Sequence, residues 1–537
     1  AMSDTEPAVT PDLPKFTARY AEPDEPLVAR IIGETTLDAA TDARIDKIAT
    51  RLIEEIRDRA GAIGGVEDFL REYGLSTREG LALMVLAEAL LRVPDGETAD
   101  RLIEDKLGAG DWSEKKGGDT WLVSASTWAL GLTARIVHPG ETPEGIIAGT
   151  IKRLGLPTVR TATRQAMRVL GHQFVLGETI EGALSRARSM AGKGYRHSFD
   201  MLGEGARTSA DAKRYFEAYA QAIEAIGKKA IGRGPDRPGI SVKLSALHPR
   251  YEAVNRDAVL AELVPAVTAL ARAAKSYDLN FTIDAEEMDR LEISLEVIGA
   301  VAADPGLAGW DGFGLAIQAY QKRVLAVVDW VIALARTLDR RFTVRLVKGA
   351  YWDTEVKRAQ ERGLPDYPVL TRKAATDAAY IAAARRLLGA RDRIYPQFAS
   401  HNALTVATIL AIAGDATGYE FQRLHGMGEA LYEALADSDQ PVPCRIYAPV
   451  GGHRDLLAYL VRRLLENGAN SSFVAIVGDR SVPVAELLHR PDLMLDGGRA
   501  ARHRRIPLPV NLYGGARRNS LGLEFGGVIE TPESRAR

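Results

Sequence analysis

The spacing of apolar residues divides the chain into a helical first part and a second part built from short β-type runs. From about residue 36 to residue 190, apolar residues recur at intervals of three and four, which is typical of amphipathic helices. This spacing predicts helices over 42–59, 76–91 and 180–191, the second of them apolar on nearly every face and therefore buried. Residues 1–35 are rich in Pro, Asp and Glu, so we expect an extended N-terminal arm there.

From about residue 195, short β-type runs alternate with amphipathic helical segments. The runs lie at 197–202, 239–246, 280–286, 312–319, 342–348, 394–400, 419–425 and 444–450, and a final helix is predicted over 454–467. Alternating strands and helices indicate a parallel sheet, and eight such units predict a closed (βα)8 TIM-type barrel, an α/β fold. An open doubly wound sheet is the alternative. The predicted domains are the arm (1–35), an α-helical domain (36–194), the barrel (195–478) and an extended C-terminal tail (479–537).

Each β-type run separates into an apolar and a polar set, because successive side chains of a strand point to opposite faces. Helices cover the outside of a barrel, so the polar sets are expected to face the lumen. These polar residues are Ser241, Lys243, Ser245, Thr282, Asp284, Glu286, Gln318, Thr343, Arg345, Gln397, Glu420, Gln422, Arg445 and Tyr447. A single buried lysine is most simply a structural ion pair. A polar ring on most of the strands is better explained by a ligand with many hydrogen-bonding groups.

The loop after the fifth run contains a second group of candidate functional residues. Arg345 and Lys348 lead into a segment with a glycine and two aromatic residues, Tyr351 and Trp352, at the end of the barrel where ligands bind. An ordinary strand-to-helix turn with packed aromatic side chains is the alternative interpretation.

The predicted final helix carries a third group of charges. Arg462 and Arg463 are adjacent and therefore lie about 100° apart on a helix, so they can flank one small carboxylate. A solvated helix face with an Arg462–Glu466 ion pair explains the same residues, and by composition alone it is the simpler interpretation.

Composition excludes several classes of protein. The 537 residues carry a net charge of −2, which gives no electrostatic case for nucleic acid. Cys444 is the only cysteine, so an intrachain disulfide and a cysteine-rich metal site are excluded, and a reducing compartment is favoured. His425 and His453 have no other metal-ligating residues at a suitable spacing in the sequence, so no metal is expected. Asp200, Glu204 and Glu286 with Glu287 could form a glycosidase carboxylate pair, but the surrounding cations favour an anionic ligand.

Several long motifs resemble one family. The segments GISVKLSALHPRY (239–251), TIDAEEMDRLEISL (282–295), VRLVKGAYWDTE (344–355) and LVRRLLENGANSSFV (460–474) are similar to the proline dehydrogenase module of bifunctional proline utilization A. The similarity covers nearly the whole chain, including the helical region before the barrel.

The resemblance implies a (βα)8 barrel that binds FAD noncovalently. It implies oxidation of L-proline to Δ1-pyrroline-5-carboxylate, the first step of proline catabolism to glutamate, by hydride transfer from substrate C5 to flavin N5. A quinone would then reoxidise the flavin. We therefore expect a cytoplasmic protein that can associate peripherally with the inner face of the membrane and binds no nucleic acid; homo-oligomer formation stays open.

The resemblance also assigns residues. Those on the substrate and catalytic side are Lys243, Asp284, Arg345, Tyr351, Tyr447, Tyr459, Arg462, Arg463, Glu466 and Glu204, the last pairing with the first of the two arginines to close the site. Those on the cofactor side are Gln318, Arg345, Val347, Lys348, Gly349, Ala350, Trp352, Thr371, Arg372, Lys373, Thr376, His401, Asn402, Gln422 and Phe473.

Two departures from the family and two competing functions remain. Proline utilization A continues into an aldehyde dehydrogenase with a catalytic cysteine, and some members begin with a ribbon-helix-helix DNA-binding domain; neither second role is expected of this sequence. Lys243 and Lys348 also suit a Schiff-base aldolase barrel, which a flavin-bearing protein would exclude. A barrel that senses proline without turnover is the non-catalytic alternative.

Overall fold

The core of the molecule is a closed parallel barrel of eight strands. The computed structural model describes residues 12–59, 175–439, 441–452, 473–478 and 480–524, together with short stretches between 149 and 163. The strands are β1 (Arg196–Met201), β2 (Gly239–Val242), β3 (Asn280–Ile283), β4 (Phe313–Gln318), β5 (Phe342–Val347), β6 (Ile394–Ala399), β7 (Glu420–Leu424) and β8 (Cys444–Val450).

Pairing of the first strand with the last closes the barrel. β1 and β8 are parallel, in a register that runs from Arg196 opposite Arg445 to Met201 opposite Val450. Each predicted β-type run corresponds to one strand, so the (βα)8 prediction is confirmed and the open doubly wound sheet is wrong. β2 and β3 end earlier than their runs predicted. Lys243 and Asp284 therefore lie just beyond the strands, at the carboxyl-terminal mouth of the barrel.

Helices connect the strands and cover the outside of the barrel. In chain order over the described residues they are α1 (Asp24–Thr35), α2 (Ala39–Arg59), α3 (Ile180–Ala191), α4 (Ser209–Lys229), α5 (Arg256–Ser276), α6 (Leu291–Ala302), α7 (Val324–Thr337), α8 (Trp352–Glu361), α9 (Lys373–Gly389), α10 (Ala403–Ala413), α11 (Glu429–Ala436), α12 (Phe473–Val477) and α13 (Val484–Leu487). On α5, the buried residues Val259, Leu263, Val267 and Leu270 recur at three- and four-residue spacing and form the stripe that packs inward.

The predicted extended arm is wrong for residues 24–35, which form α1. Pro23 precedes a first turn that carries Asp24 and Glu25, and acidic residues there favour the positive end of the helix dipole. Leu27, Val28 and Ile31 share one face and join the main hydrophobic core. The acidic, proline-rich composition concealed this short apolar stripe.

The other predicted helices have different outcomes. Those at 42–59 and 180–191 correspond to α2 and α3. Those at 76–91 and 454–467 lie outside the described residues. Within the part of the chain that the structure describes, no helix combines the length and the apolar character needed to cross a membrane.

Residues 480–524 are largely irregular and fold back onto the barrel. The backbone N–H of His503 donates to Thr371 Oγ1 at 3.0 Å, and Arg372 Nη1 donates to the carbonyl oxygen of Met494 at 3.1 Å. Arg362 also binds Glu524, with Nη1 to Oε1 at 2.6 Å. This segment therefore supports the loop before α9.

Candidate active site at the mouth of the barrel

A lysine between two carboxylates and a phenol occupies the mouth of the barrel. Lys243 Nζ lies 2.6 Å from Asp200 Oδ1, 3.4 Å from Asp284 Oδ2 and 3.4 Å from Tyr447 Oη. Tyr447 Oη in turn donates to Asp284 Oδ2 at 2.8 Å. These four residues lie in β1 and β8 and directly after β2 and β3, so closure of the barrel is what brings them together.

Arg345 is held from four directions beneath this cluster. Its Nη1 donates to Asp284 Oδ1 at 2.6 Å and its Nε to Gln422 Oε1 at 2.7 Å. Its Nη2 donates to Ser198 Oγ at 3.1 Å and to Ser241 Oγ at 3.0 Å. The guanidinium also lies 5.0 Å from the ring centre of Tyr447. Such a network fixes the orientation of the cation.

A second polar layer lies nearer the amino-terminal end of the lumen. Arg445 Nε donates to Glu420 Oε1 at 2.6 Å, and Arg196 Nη1 donates to Glu420 Oε2 at 2.9 Å. Gln397 Nε2 also donates to Glu420 Oε1, at 2.9 Å. Burial raises the pKa of Glu420, but the two guanidinium groups outweigh it and the pKa lies below its usual value. This layer fills the lumen with paired charges, so its role is structural.

The lumen is therefore polar, as predicted, but its charges satisfy one another. Lys243 and Arg345 have carboxylate partners within the protein, so burial alone does not require a ligand. Three lumen residues were missed, Arg196, Ser198 and Asp200, because the first β-type run began at residue 197 and was not separated into its faces. The alternation of Arg196, Ser198 and Asp200 with His197 and Phe199 was the available signal.

The pKa of Lys243 weighs against the Schiff-base alternative. Burial lowers this pKa, but Asp200, Tyr447 and Asp284 outweigh burial and raise it well above the usual value. An amine nucleophile needs a depressed pKa, because only the neutral amine attacks a carbonyl. Lys243 is instead a fixed cation.

Lys348 marks the second part of the site, where the ends of β5 and β6 lie near the N-terminal parts of two helices. Its Nζ lies 2.5 Å from Asp377 Oδ1 in α9 and 3.5 Å from Thr405 Oγ1 in α10. Asn402 Oδ1 accepts from the N–H groups of Leu404 and Thr405 and so caps α10. A ligand that reaches Asn402 would meet its carboxamide nitrogen.

The N-terminus of α9 is suited to an anion. No side chain caps this 17-residue helix, and its first turn contains no acidic residue. Arg372 and Lys373 stand at this end, and the backbone N–H groups of a helix N-terminus attract phosphate groups. Thr371 and Thr376 flank the same turn and are both buried.

The loop after β5 passes closely over an aromatic ring. Gly349 has φ 134°, and a Cβ at this position would lie 2.6 Å from the Tyr320 ring. The next residue, Ala350, donates its N–H to Gln318 Oε1 at 3.3 Å, and the preceding Val347 ends the strand. Gln318 Nε2 donates to the carbonyl oxygen of Glu286 at 2.8 Å. Gln318 thus connects the loop after β5 to the end of β3.

The remaining predicted residues are distributed around these two groups. Trp352 donates its Nε1–H to the carbonyl oxygen of Leu370 at 2.9 Å, and it packs with Tyr351 against a small cluster that includes Tyr320, in part as the structural alternative predicted. His401 Nε2 accepts from the N–H of Leu424 at 3.1 Å. Phe473 begins α12 and is buried in the main core.

Five site predictions concern the neighbourhood of the last helix and the first loop. Tyr459, Arg462, Arg463 and Glu466 lie outside the described residues, so their placement stays a prediction. Glu204 lies in the loop after β1, between two glycines with positive φ, at the same end of the barrel as Lys243.

Family models match two parts of the chain. A model described as Proline dehydrogenase matches residues 183–476, which is more than half of the chain. The chain belongs to the proline dehydrogenase family. A second model, described as the DNA-binding domain of Proline dehydrogenase, matches residues 65–174, which lie mostly outside the described part of the chain. This description weakly opposes our expectation of no nucleic-acid partner, which rested on the net charge and on the acidic, proline-rich N-terminal arm.

Individual relatives give the same family. The chain is similar to Bifunctional protein PutA of Escherichia coli, with 48% identity over 95% of the chain and 40% of that protein. It is 28% identical to Proline dehydrogenase of Deinococcus radiodurans over 59% of the chain and 93% of that protein. A crystal structure of Bradyrhizobium japonicum proline utilization A has 62% identity, a TM-score of 0.76, and coverage of 96% of this chain and 52% of that one. The chain thus spans less than half the length of the bifunctional relative from Escherichia coli.

Proposed function

We propose that this member of the proline dehydrogenase family oxidises L-proline to Δ1-pyrroline-5-carboxylate with noncovalently bound FAD, and that a quinone takes up the electrons. The observation that carries the proposal is the cluster of Lys243, Asp284, Arg345 and Tyr447 at the barrel mouth. It coincides with the region matched by the proline dehydrogenase model.

The cofactor-side residues fit a flavin dinucleotide. Arg372 and Lys373 at the uncapped end of α9 suit its diphosphate, together with Lys348, which contacts Asp377 of α9 and Thr405 of α10. Gly349 lets the backbone of the β5 loop pass close to a planar ligand, as it passes close to Tyr320. When bound, the flavin would supply the acceptor for the substrate hydride.

The substrate-side residues have two proposed roles: some would bind the carboxylate of proline and others would enclose its ring. Lys243 is a permanent cation that would attract the carboxylate of proline, and Arg462 and Arg463 would provide the bidentate partners. Tyr447 and Tyr459 would enclose the ring, and Glu204 would pair with Arg462 to close the site over the substrate, beside Tyr351 and Glu466. Asp284 orients Tyr447 and Arg345 at once, since one carboxylate oxygen accepts from each. Hydride transfer needs such close alignment and no nucleophile.

The test is turnover by the purified chain. We expect FAD to be released on heat denaturation and L-proline to reduce an added quinone. A colourless protein that takes up no added FAD would contradict the proposal. Cytoplasmic location and peripheral contact with the membrane are part of the same proposal, because a quinone acceptor resides in the lipid phase.

A further inference from the structure

Glu286 is a buried carboxylate beside the site that has no role in the proposed reaction. It lies two residues after Asp284, just past β3, and its side chain is 5% exposed. Its Oε2 accepts the backbone N–H of Ser245 at 3.0 Å. Arg290 Nη1 is 3.8 Å from Glu286 Oε1 but 3.1 Å from Glu287 Oε2, so the arginine is chiefly the partner of Glu287. The well-formed contact of Glu286 is therefore the one to Ser245.

Ser245 also forms hydrogen bonds to the loop after β1. Its Oγ accepts the N–H of Gly205 at 3.0 Å, and its carbonyl oxygen accepts the N–H of Ala206 at 2.8 Å. Ser245 is itself buried, so these bonds are shielded from water. The backbone on either side of Glu204 is thereby tied to the end of β2.

The geometry of this loop leaves little freedom to the residue between its glycines. Gly203 has φ 139° and Gly205 has φ 61°, and a Cβ on Gly203 would lie 2.1 Å from the Tyr215 ring. Glycine alone adopts the first of these conformations readily. Glu204 therefore lies in a turn of restricted conformation, and Ser245 holds the part of this turn that follows Glu204.

The backbone of Glu286 connects to the cofactor side. Its carbonyl oxygen accepts from Gln318 Nε2, and Gln318 Oε1 accepts from the N–H of Ala350. One residue therefore joins the loop after β1, through Ser245, to the loop after β5, through Gln318.

We propose that Glu286 is a positioning residue that fixes Ser245 and, through it, the loop that presents Glu204 at the barrel mouth. The consequence for catalysis rests on the proposed function, in which Glu204 helps to close the site over L-proline. Glu286 acts as a hydrogen-bond acceptor rather than as a charge, since its formed contacts are to the backbone N–H and the side chain of Ser245.

The first experiment compares Glu286→Ala with Glu286→Gln in the full chain with bound FAD. Glu286→Ala removes the acceptor, so we expect KM for L-proline to rise about threefold to tenfold with kcat within about twofold, as loss of one buried hydrogen bond predicts. Hydrogen exchange of the Gly205 and Ala206 amides should become about tenfold faster. Glu286→Gln keeps an acceptor oxygen and should behave like the wild type. Glu252→Ala, exposed on the same connection between β2 and α5, is the matched control.

A double-mutant cycle separates positioning from general destabilisation. If Glu286 acts through Glu204, then Glu286→Ala should add no further rise in KM in a Glu204→Ala background. Additive effects, or unchanged exchange at Gly205 and Ala206 in Glu286→Ala, would overturn the proposal. If Glu286→Ala yields no folded protein, Ser245→Ala takes its place in the cycle, because it removes the hydroxyl that accepts the Gly205 N–H and that also hydrogen-bonds the Glu286 carboxylate. The exchange measurement needs no turnover, so a wild type inactive on proline would refute the function and leave this test intact.

Discussion

At the scale of single residues, the inward polar faces of the strands were predictable and their pairing was not. Lys243, Asp284, Arg345 and Tyr447 were read from alternation along each run, and the structure brings them into one network. That Lys243 binds Asp200 depends on the register between β1 and β2, which no local pattern encodes. The ligand interpretation of the polar ring consequently overstated the need for an external partner.

The buried ion pair between Lys243 and Asp200 predicts an effect of a single substitution on stability. Lys243→Met should leave the fully buried Asp200 carboxylate without its cation, and breaking such a pair costs about 3–5 kcal/mol of unfolding free energy. Chemical denaturation at equal flavin content measures it. Lys228→Met, which breaks the exposed pair with Glu224, is the control and should produce no measurable change. A variant as stable as the wild type would show that the pair is not what stabilises this end of the barrel.

At the scale of secondary-structure elements, the sequence predicted which strands exist but not the residues at which they end. All eight strands were found, because period-two runs bounded by turns are a strong signal. The runs at 239–246 and 280–286 continued beyond β2 and β3, since the polar residues past the strand ends keep the same alternation. α1 was missed because its three buried apolar residues lie in an acidic segment.

α8 carries a pH-dependent contribution to stability. Glu355 is buried, and burial raises its pKa from 4.5 to about 7, while its Oε1 accepts the N–H of Met288 at 2.8 Å. Between these two pKa values the folded chain retains a proton that the unfolded chain has released. Stability is therefore lost as the pH rises through this window, and the whole penalty applies above the folded pKa.

Glu355→Gln tests this contribution, because it keeps the acceptor and removes the charge. We expect the variant to be more stable than the wild type by about 1–3 kcal/mol at pH 8, with a gain of less than about 0.3 kcal/mol at pH 4, below both pKa values. Glu361→Gln, exposed on the same helix, should show no such difference. Unfolding curves at the two pH values decide it, and an equal effect at both would mean that Glu355 does not titrate in this window.

At the scale of the whole molecule, segments distant in sequence close over the barrel. Asp24 of α1 contacts Arg502 of the C-terminal segment and lies 3.4 Å from Lys322 Nζ, while Asp366 lies 2.7 Å from Arg502. The Lys322 side chain is fully buried. This network could not be predicted, because the arm and the tail were both expected to be extended.

The network makes α1 a structural part of the barrel. Asp24→Ala should lower the unfolding free energy by about 2–4 kcal/mol, less than for a fully orphaned charge because Asp366 still faces Lys322. Glu25→Ala, exposed on the same turn, should change it by less than about 0.5 kcal/mol. Equal effects of the two substitutions in thermal unfolding would contradict the role assigned to the network.

The central claim is that L-proline reduces a flavin held by this barrel. Anaerobic addition of L-proline to the FAD-loaded chain tests it most directly, with the visible flavin absorption as the signal. We expect the absorption band to bleach and a quinone to restore it, with slower bleaching in Lys243→Met at equal flavin content. A folded, FAD-loaded wild type whose flavin stays oxidised in saturating L-proline would contradict the account, and measurable binding of proline in that case would identify a sensing barrel instead.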